Sequence, residues 1–350
     1  MRPDKIRLGI LGCGTITRLE HLPAALAHPD VDLIALVDSN TDRAHALAQS
    51  RSVQCRVSAD YRPLISQLDA VVNALPNSLH APVTLDVLRA GVHVLCEKPL
   101  AIKASDAEAC AAMAEEQGLV LAVGMNRRFA ASHKLMRLVL DEGALGPLKS
   151  YRCDYGGAFD WKSASGFYFS KALAGGGSMI DLGVHLLDSL IDWFGPVSKF
   201  TYQDDNWGSG IEANAIMELQ HSGRYGLVEG RLQVSRTFPL QNRLLVRGDE
   251  AEAEVNTTDH DALIVRRVIG GEQVSQTLRL PNFPKASSFY KQLDNFVQSI
   301  RGTQKPEVNG KQAALVLQLI EDAYANAGRI PEPWSEIPAG IATQPGKVMA

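Results

Sequence analysis

At 350 residues, 45% hydrophobic and 21% charged, the chain can bury large cores and exceeds one ordinary domain, which favours two. A formal net charge of -4 and the lack of a basic run argue against nucleic acid or an anionic membrane as the main partner. No apolar stretch reaches the roughly 18 residues that span a bilayer, and the run Leu8–Leu11 is too short for a signal-peptide core. Five scattered cysteines, with no Cys-x-x-Cys and no Cys/His cluster, suit free thiols in the cytoplasm and no metal site.

Short apolar runs at residues 6–11, 31–37, 53–57, 70–74, 92–96 and 119–123 alternate with helical stretches at 44–50, 82–90 and 105–117. That alternation predicts βαβ units and an α/β doubly wound parallel sheet over residues 1–125. The first run ends in Gly12-Cys13-Gly14-Thr15-Ile16-Thr17. A Gly-x-Gly turn that follows a strand and opens a helix can hold a pyrophosphate on its N-terminal amides, which makes Gly12, Gly14, Thr15 and Ile16 candidate dinucleotide contacts. Thr17 stands where a glycine or alanine usually allows close helix packing. Asp38, ending the second run beside Ser39, has the spacing of a ribose-binding acid. Its charge repels a 2′-phosphate and favours NAD; Arg43 is the group that could admit NADP.

The fourth run leads into Leu75-Pro76-Asn77-Ser78-Leu79-His80, where Pro76 stops the strand and Asn77 or Ser78 can start a helix. Lying at a strand's carboxyl end, Leu75, Pro76, Asn77 and His80 are expected along the cofactor. The fifth run delivers Glu97-Lys98-Pro99 to the same edge. Pro99 restricts Lys98 to extended backbone, with a cis bond open to it. Partial desolvation near a cationic nicotinamide predicts a lowered Lys98 pKa.

From Leu148 the runs lengthen and alternate, at 148–155, 199–205, 213–219, 225–234, 242–246, 251–255, 263–268 and 276–280, with turns at Gly248-Asp249 and Gly270-Gly271. This predicts an α+β second domain over residues 126–330 with a large, open, mostly antiparallel sheet, closed by helices at 287–299 and 311–327. Residues 331–350 read as a proline-rich tail with Trp334 as a docking anchor.

The sheet is interrupted by Gly175-Gly176-Gly177-Ser178, with Ser178 placed to cap a helix running to about Phe194. In that helix Asp181 and His185 are four residues apart and project from one face, a carboxylate–imidazole pair suited to proton transfer. The three glycines read as clearance for substrate. Asn126 and Arg127, after the sixth strand, are placed to reach the nicotinamide side and the substrate. Tyr155, Phe159, Trp161 and Tyr168 offer an aromatic patch for a sugar ring.

The Gly-x-Gly turn, Asp38, residues 74–80, Glu97-Lys98-Pro99, Asn126-Arg127-Arg128-Phe129 and Asp181-x-x-x-His185 together resemble the glucose-fructose oxidoreductase, inositol dehydrogenase and rhizopine-catabolism (Gfo/Idh/MocA) family over residues 6–330. The resemblance implies a Rossmann domain for NAD or NADP, a sheet domain shaping the substrate pocket, and dimers or tetramers through the open sheet face. It implies reversible hydride transfer between a hydroxyl-bearing carbon of a sugar, sugar derivative or cyclitol and nicotinamide. Lys98, Asp181 and His185 are the matching catalytic residues, and together with Arg127, Tyr155 and Trp161 they make the expected substrate site. His185 is taken as general base, Lys98 as the group steadying the reacting oxygen, and Asp181 as the orienting acid.

Two other classes share these features. An NAD-dependent glycosidase acting by transient oxidation would release an aglycone without net NADH. A non-catalytic dinucleotide sensor would form none with any polyol.

Overall fold

Apolar runs without polar alternation suit strands covered on both faces. In the computed structural model, which describes residues 5–162, 164–206, 210–258 and 260–330, those of the first half form one sheet. Its strands are β1 (Ile6–Leu11), β2 (Val31–Val37), β3 (Arg56–Ser58), β4 (Ala70–Asn73), β5 (His93–Cys96) and β6 (Leu121–Val123). All neighbours are parallel, in the order β3-β2-β1-β4-β5-β6. The order reverses between β1 and β4, so the ligand crevice lies at their carboxyl ends.

A π-helical turn (Thr17–His21) runs directly into α1 (Leu22–Ala27); α2 (Thr41–Ser50), α3 (Asn77–Arg89) and α4 (Ala104–Glu116) follow. Helix α3 starts at Asn77, one of the two expected starting residues, and Pro82 falls inside it rather than opening it, because an internal proline removes one intrahelical bond without ending the helix. Residues 131–141 form α5 (Ala131–Asp141), which the strand-and-helix reading passes over although Leu135, Met136, Val139 and Leu140 recur at helical spacing and are buried.

The second half contributes β7 (Leu148–Gly156), α6 (Lys171–Ala174), a π-helical turn (Met179–Gly183) continuing into α7 (Val184–Phe194), and β8 (Val197–Asp204). Next come β9 (Asn214–Gly223), β10 (Gly226–Ser235), β11 (Arg243–Gly248), β12 (Ala251–Asn256), β13 (Leu263–Ile269) and β14 (Glu272–Leu278). Helices α8 (Ser288–Ile300) and α9 (Gly310–Ala325) and the short β15 (Gly328–Arg329) complete the described chain. The nine strands lie in the order β14-β13-β12-β11-β7-β10-β9-β8-β15, antiparallel except for β10 with β7 and β15 with β8. Strand β14 begins four residues earlier than expected. Gly270 and Gly271, both at positive φ, make a two-residue turn that pairs Ile269 with Glu272 at once.

One face of this sheet, with Tyr151, Cys153, Leu232 and Val246, packs under α7 through Leu186, Leu187, Leu190 and Phe194 in a shared core. The other face is polar, crossed by ion pairs such as Arg266–Glu254 at 2.8 Å and Arg231–Glu218 at 3.5 Å. Helix α8 returns to the first sheet, where Leu293, Phe296 and Val297 join Leu8, Ile10 and Leu36. Helix α9 packs on α4 and α7. The tail from Pro331, Trp334 included, lies outside the described residues. Among the described residues no helix is long and apolar enough to cross a membrane.

Candidate active site

The nucleotide end of the crevice is built on Gly12. Its φ of +93° is a backbone state that side chains resist, and a Cβ there would collide with the Ala74 carbonyl just after β4. The amide of Cys13 donates to Asp38 Oδ2 at 2.9 Å, which ties the glycine turn to the acid ending β2. Asp38 Oδ1 accepts from the Asn40 amide at 2.8 Å, beside exposed Ser39. Arg43 donates to both Asp38 oxygens at 3.1 and 3.0 Å, so it is a paired side chain rather than a solvated one. Thr17 is fully buried and its hydroxyl donates to Gly12 O at 2.6 Å; the residue that departs from the usual glycine pattern braces the turn from below.

Thr15 Oγ1 donates to Lys162 O at 2.5 Å, bringing the loop after β7 onto the nucleotide turn, with Ala164 over Gly14. Ile16 is in the opening helical turn. These features fit a dinucleotide: a bare turn, a helix start above it and a carboxylate at ribose distance in sequence.

Other side chains from this list are engaged within the protein. Half-buried Leu75 and Pro76 lead into α3, and Asn77 Nδ2 donates to Ala174 O at 2.8 Å, joining α3 to α6. His80 is 1% exposed, with its ring nitrogens 2.6 Å from both Pro99 O and Leu75 O. It therefore clamps the two cofactor-edge loops together. Glu97 Oε1 faces His21 Nε2 at 2.7 Å, and Oε2 accepts the Lys98 amide at 3.1 Å. Burial raises the Glu97 pKa, but the bond and charge of His21, with Lys98 nearby, bring it below the ordinary glutamate value. Asn126 donates to Ser288 Oγ at 3.3 Å.

The reaction end joins the two sheets. Lys98, at the end of β5 and before a cis Pro99, donates from Nζ to Asp181 Oδ1 at 2.8 Å and to Asp181 O at 2.9 Å. Asp181 Oδ2 accepts from Arg236 at 2.8 Å. The arginine follows β10, is 6% exposed, and stands over the Phe159 and Tyr168 rings at 5.2 and 5.8 Å. Burial raises the Asp181 pKa, yet Lys98 and Arg236 outweigh it and hold the carboxyl below its ordinary value.

The Lys98 expectation is corrected here. Burial does lower its pKa, but Asp181, Tyr168 and Glu97 outweigh burial and raise the ammonium above its ordinary range. A desolvated cation with a carboxylate at contact distance stays charged. His185 behaves oppositely: burial first, then the charges of Lys98, Arg127 and His260, hold its imidazole neutral well below the usual range. Its Nδ1 is buried without a hydrogen-bond partner.

Arg127 lies over the Tyr155 ring at 4.5 Å and donates to Thr257 O at 3.2 Å. Trp161 is 36% exposed on the loop after β7. Within the aromatic patch Tyr168 is the member that senses the site, its pKa raised first by burial and altered by Lys98, Asp181 and Arg236.

The glycine segment differs from expectation. Ser178 has helical dihedrals (φ -65°, ψ -33°), which place it inside the first turn, and its hydroxyl caps nothing. Glu212 caps instead: Oε2 accepts from Gly177 N at 2.8 Å, Oε1 from Met179 N at 2.7 Å, and its carbonyl from Ser178 N at 2.8 Å. Tyr324 on α9 donates to the same carboxylate at 2.8 Å. A Cβ on Gly177 would enter the Glu212 backbone and one on Gly176 the Tyr324 hydroxyl. The glycines thus admit Glu212 and Tyr324, which seat the turn carrying Asp181. Sequence reasoning missed Arg236, Glu212 and Tyr324; Gly176 and Gly177 are the trace that Tyr324 and Glu212 leave.

A parallel sheet in this order, a glycine turn, an acid after β2 and a lysine–aspartate contact across the crevice define a dinucleotide-dependent oxidoreductase. Residues 6–125 match the family described as oxidoreductase family, NAD-binding Rossmann fold, and residues 133–254 match the GFO/IDH/MocA C-terminal domain. The chain belongs to the Gfo/Idh/MocA family, and its N-terminal domain is an NAD-binding Rossmann domain. It is 32% identical to a dTDP-3,4-didehydro-2,6-dideoxy-alpha-D-glucose 3-reductase of Actinomadura kijaniata, over 89% of this chain and 94% of that one. It is 29% identical to the 1,5-anhydro-D-fructose reductase of Ensifer adhaerens, over 87% and 91%. The fold superposes on a levoglucosan dehydrogenase in complex with NADH and levoglucosan with a TM-score of 0.81, at 20% identity, over 92% and 98% of the two chains.

Proposed function

We propose that the protein transfers hydride between a hydroxyl-bearing carbon of a sugar, sugar derivative or cyclitol and NAD. The observation that carries this is the Lys98–Asp181 contact at 2.8 Å, which joins the edge of the dinucleotide sheet to the helix bearing His185. Two relatives named as sugar reductases support the substrate class.

Oxidation of a secondary alcohol removes a hydroxyl proton and a hydride and leaves a carbonyl. When bound, the nicotinamide supplies the hydride acceptor. His185, neutral, takes the hydroxyl proton. A base held so far below its usual pKa is weak, so the hydroxyl needs acidifying. Charged Lys98 does this by donating to the reacting oxygen as negative charge develops on it. Asp181 holds Lys98 and Arg236 in register. In the reverse direction the same imidazole returns the proton to the carbonyl oxygen.

The pH profile follows with a definite sign. His185 loses its base function only as pH falls below its depressed pKa, and Lys98 loses its charge only as pH rises above its raised one. The rate of alcohol oxidation is therefore expected to be flat between roughly 6.5 and 10.5, the two ordinary values that the shifts move outward. An acid limb centred at or above 6.5 in kcat/KM contradicts the His185 assignment.

Asp38 sets cofactor choice in this reading. Its buried carboxylate would repel a 2′-phosphate, and Arg43 is already committed to it. NAD is expected to exceed NADP at least ~10-fold in kcat/KM, the equivalent of about 1.4 kcal/mol. A preference for NADP overturns it. The function itself is tested by NADH formation across a panel of sugars, sugar acids, sugar phosphates and inositols.

A further inference from the structure

The charges at the site are unequal. Lys98 and Arg236 share one carboxylate, each taking one oxygen of Asp181 at 2.8 Å. Glu97 is committed to His21 at 2.7 Å. Arg127 has no carboxylate partner among the described residues; its contacts are the Thr257 carbonyl and Tyr155, whose ring it covers and whose side chain it hydrogen-bonds. Its neighbour in sequence, Arg128, shows the usual arrangement, with Asp188 at 2.6 and 2.9 Å and Asp192 also paired to it.

A guanidinium cannot shed its proton to relieve burial, so only an anion or water can compensate it. Arg127 is placed to meet a ligand. Its charge acts on His185, and it lines a small, largely apolar recess together with Ser189 and Leu190, one turn beyond His185 on α7, and His260. That recess does not include Lys98 or Asp181 themselves.

We propose that the substrate is anionic: a sugar or cyclitol derivative bearing a carboxylate or phosphate that pairs with Arg127 while its reacting hydroxyl faces Lys98 and His185. This rests on the dehydrogenase reading above. The planar guanidinium fork matches two oxygens of either group. A neutral polyol that displaced water from Arg127 would leave it uncompensated.

The test uses the full-length protein with NAD and matched series of one parent structure, neutral, carboxylate and phosphate, built on glucose, galactose and myo-inositol. Binding is read by calorimetry and turnover by NADH absorbance. At least one anionic member is expected to bind roughly 30-fold or more tightly than its neutral parent, the weight of a buried charge-assisted pair. The carboxylate and phosphate arms show which group is taken. Arg127→Gln should remove that preference and Arg127→Lys should restore part of it. Neutral parents that bind as well as both anionic forms, no binding by any anionic member, or a preference that survives in Arg127→Gln would each overturn the proposal. The two readings fail separately. Arg127-dependent anion binding without NADH formation sinks the dehydrogenase and keeps the anion site. Equal oxidation of neutral and anionic sugars does the reverse.

Discussion

Lys98→Ala and His185→Ala are each expected to lower turnover at least ~100-fold, the lower end of what one acid/base contribution supplies. The two losses differ in kind. Without Lys98 no cation stands at the reacting oxygen, so a neutral His185 must abstract a proton from an unactivated hydroxyl. Without His185 the hydroxyl is still polarised but its proton has no acceptor. Dinucleotide affinity is expected to hold in His185→Ala, because the Gly12 turn and Asp38 lie on the first sheet. Turnover within a few-fold of the parent in both variants contradicts the assignment; loss of dinucleotide binding in His185→Ala contradicts the division between the two sheets.

Asp181→Ala should destabilise the protein as well as slow it. Among the described residues Asp181 is the carboxylate that pairs with both Lys98 and Arg236, and the three side chains are only 17%, 6% and 11% exposed for Lys98, Arg236 and Asp181. Removing the anion leaves two buried cations side by side, a change that costs about 3–5 kcal/mol when one partner of a buried pair is deleted. Asp181→Asn keeps the shape and removes the charge, which gives a sharper readout. Asp181 raises the Lys98 pKa, so its loss lowers that pKa and brings the alkaline limb of the rate profile down into the measurable range. A melting temperature and alkaline limb unchanged in both variants would show that Asp181 does not hold the two cations.

What the sequence made legible was local. Gly12 and Asp38 lie on a strand–turn–helix whose backbone permits few residue types, and both are where the spacing puts them. Lys98 beside Pro99 was legible for the same reason. Arg236 was not, because its partner Asp181 is 55 residues away and nothing around it marks the contact. Glu212 reaches its glycine loop across 35 residues from the link between β8 and β9. Ser178 shows the opposite failure. It has the chemistry of a cap, but the chain turns helical one residue early and a tertiary carboxylate takes the amides. Helix α8 was legible as a helix, yet only packing shows that Phe296 and Val297 complete the first sheet's core.

The most direct measurement of the central claim is a single assay of wild type, Lys98→Ala and His185→Ala with NAD, using a substrate deuterated at the carbon to be oxidised. The structure predicts that wild type forms NADH carrying the deuterium, with both variants at least ~100-fold slower. Deuterium released to water, or label transfer at parental rates in either variant, would contradict it.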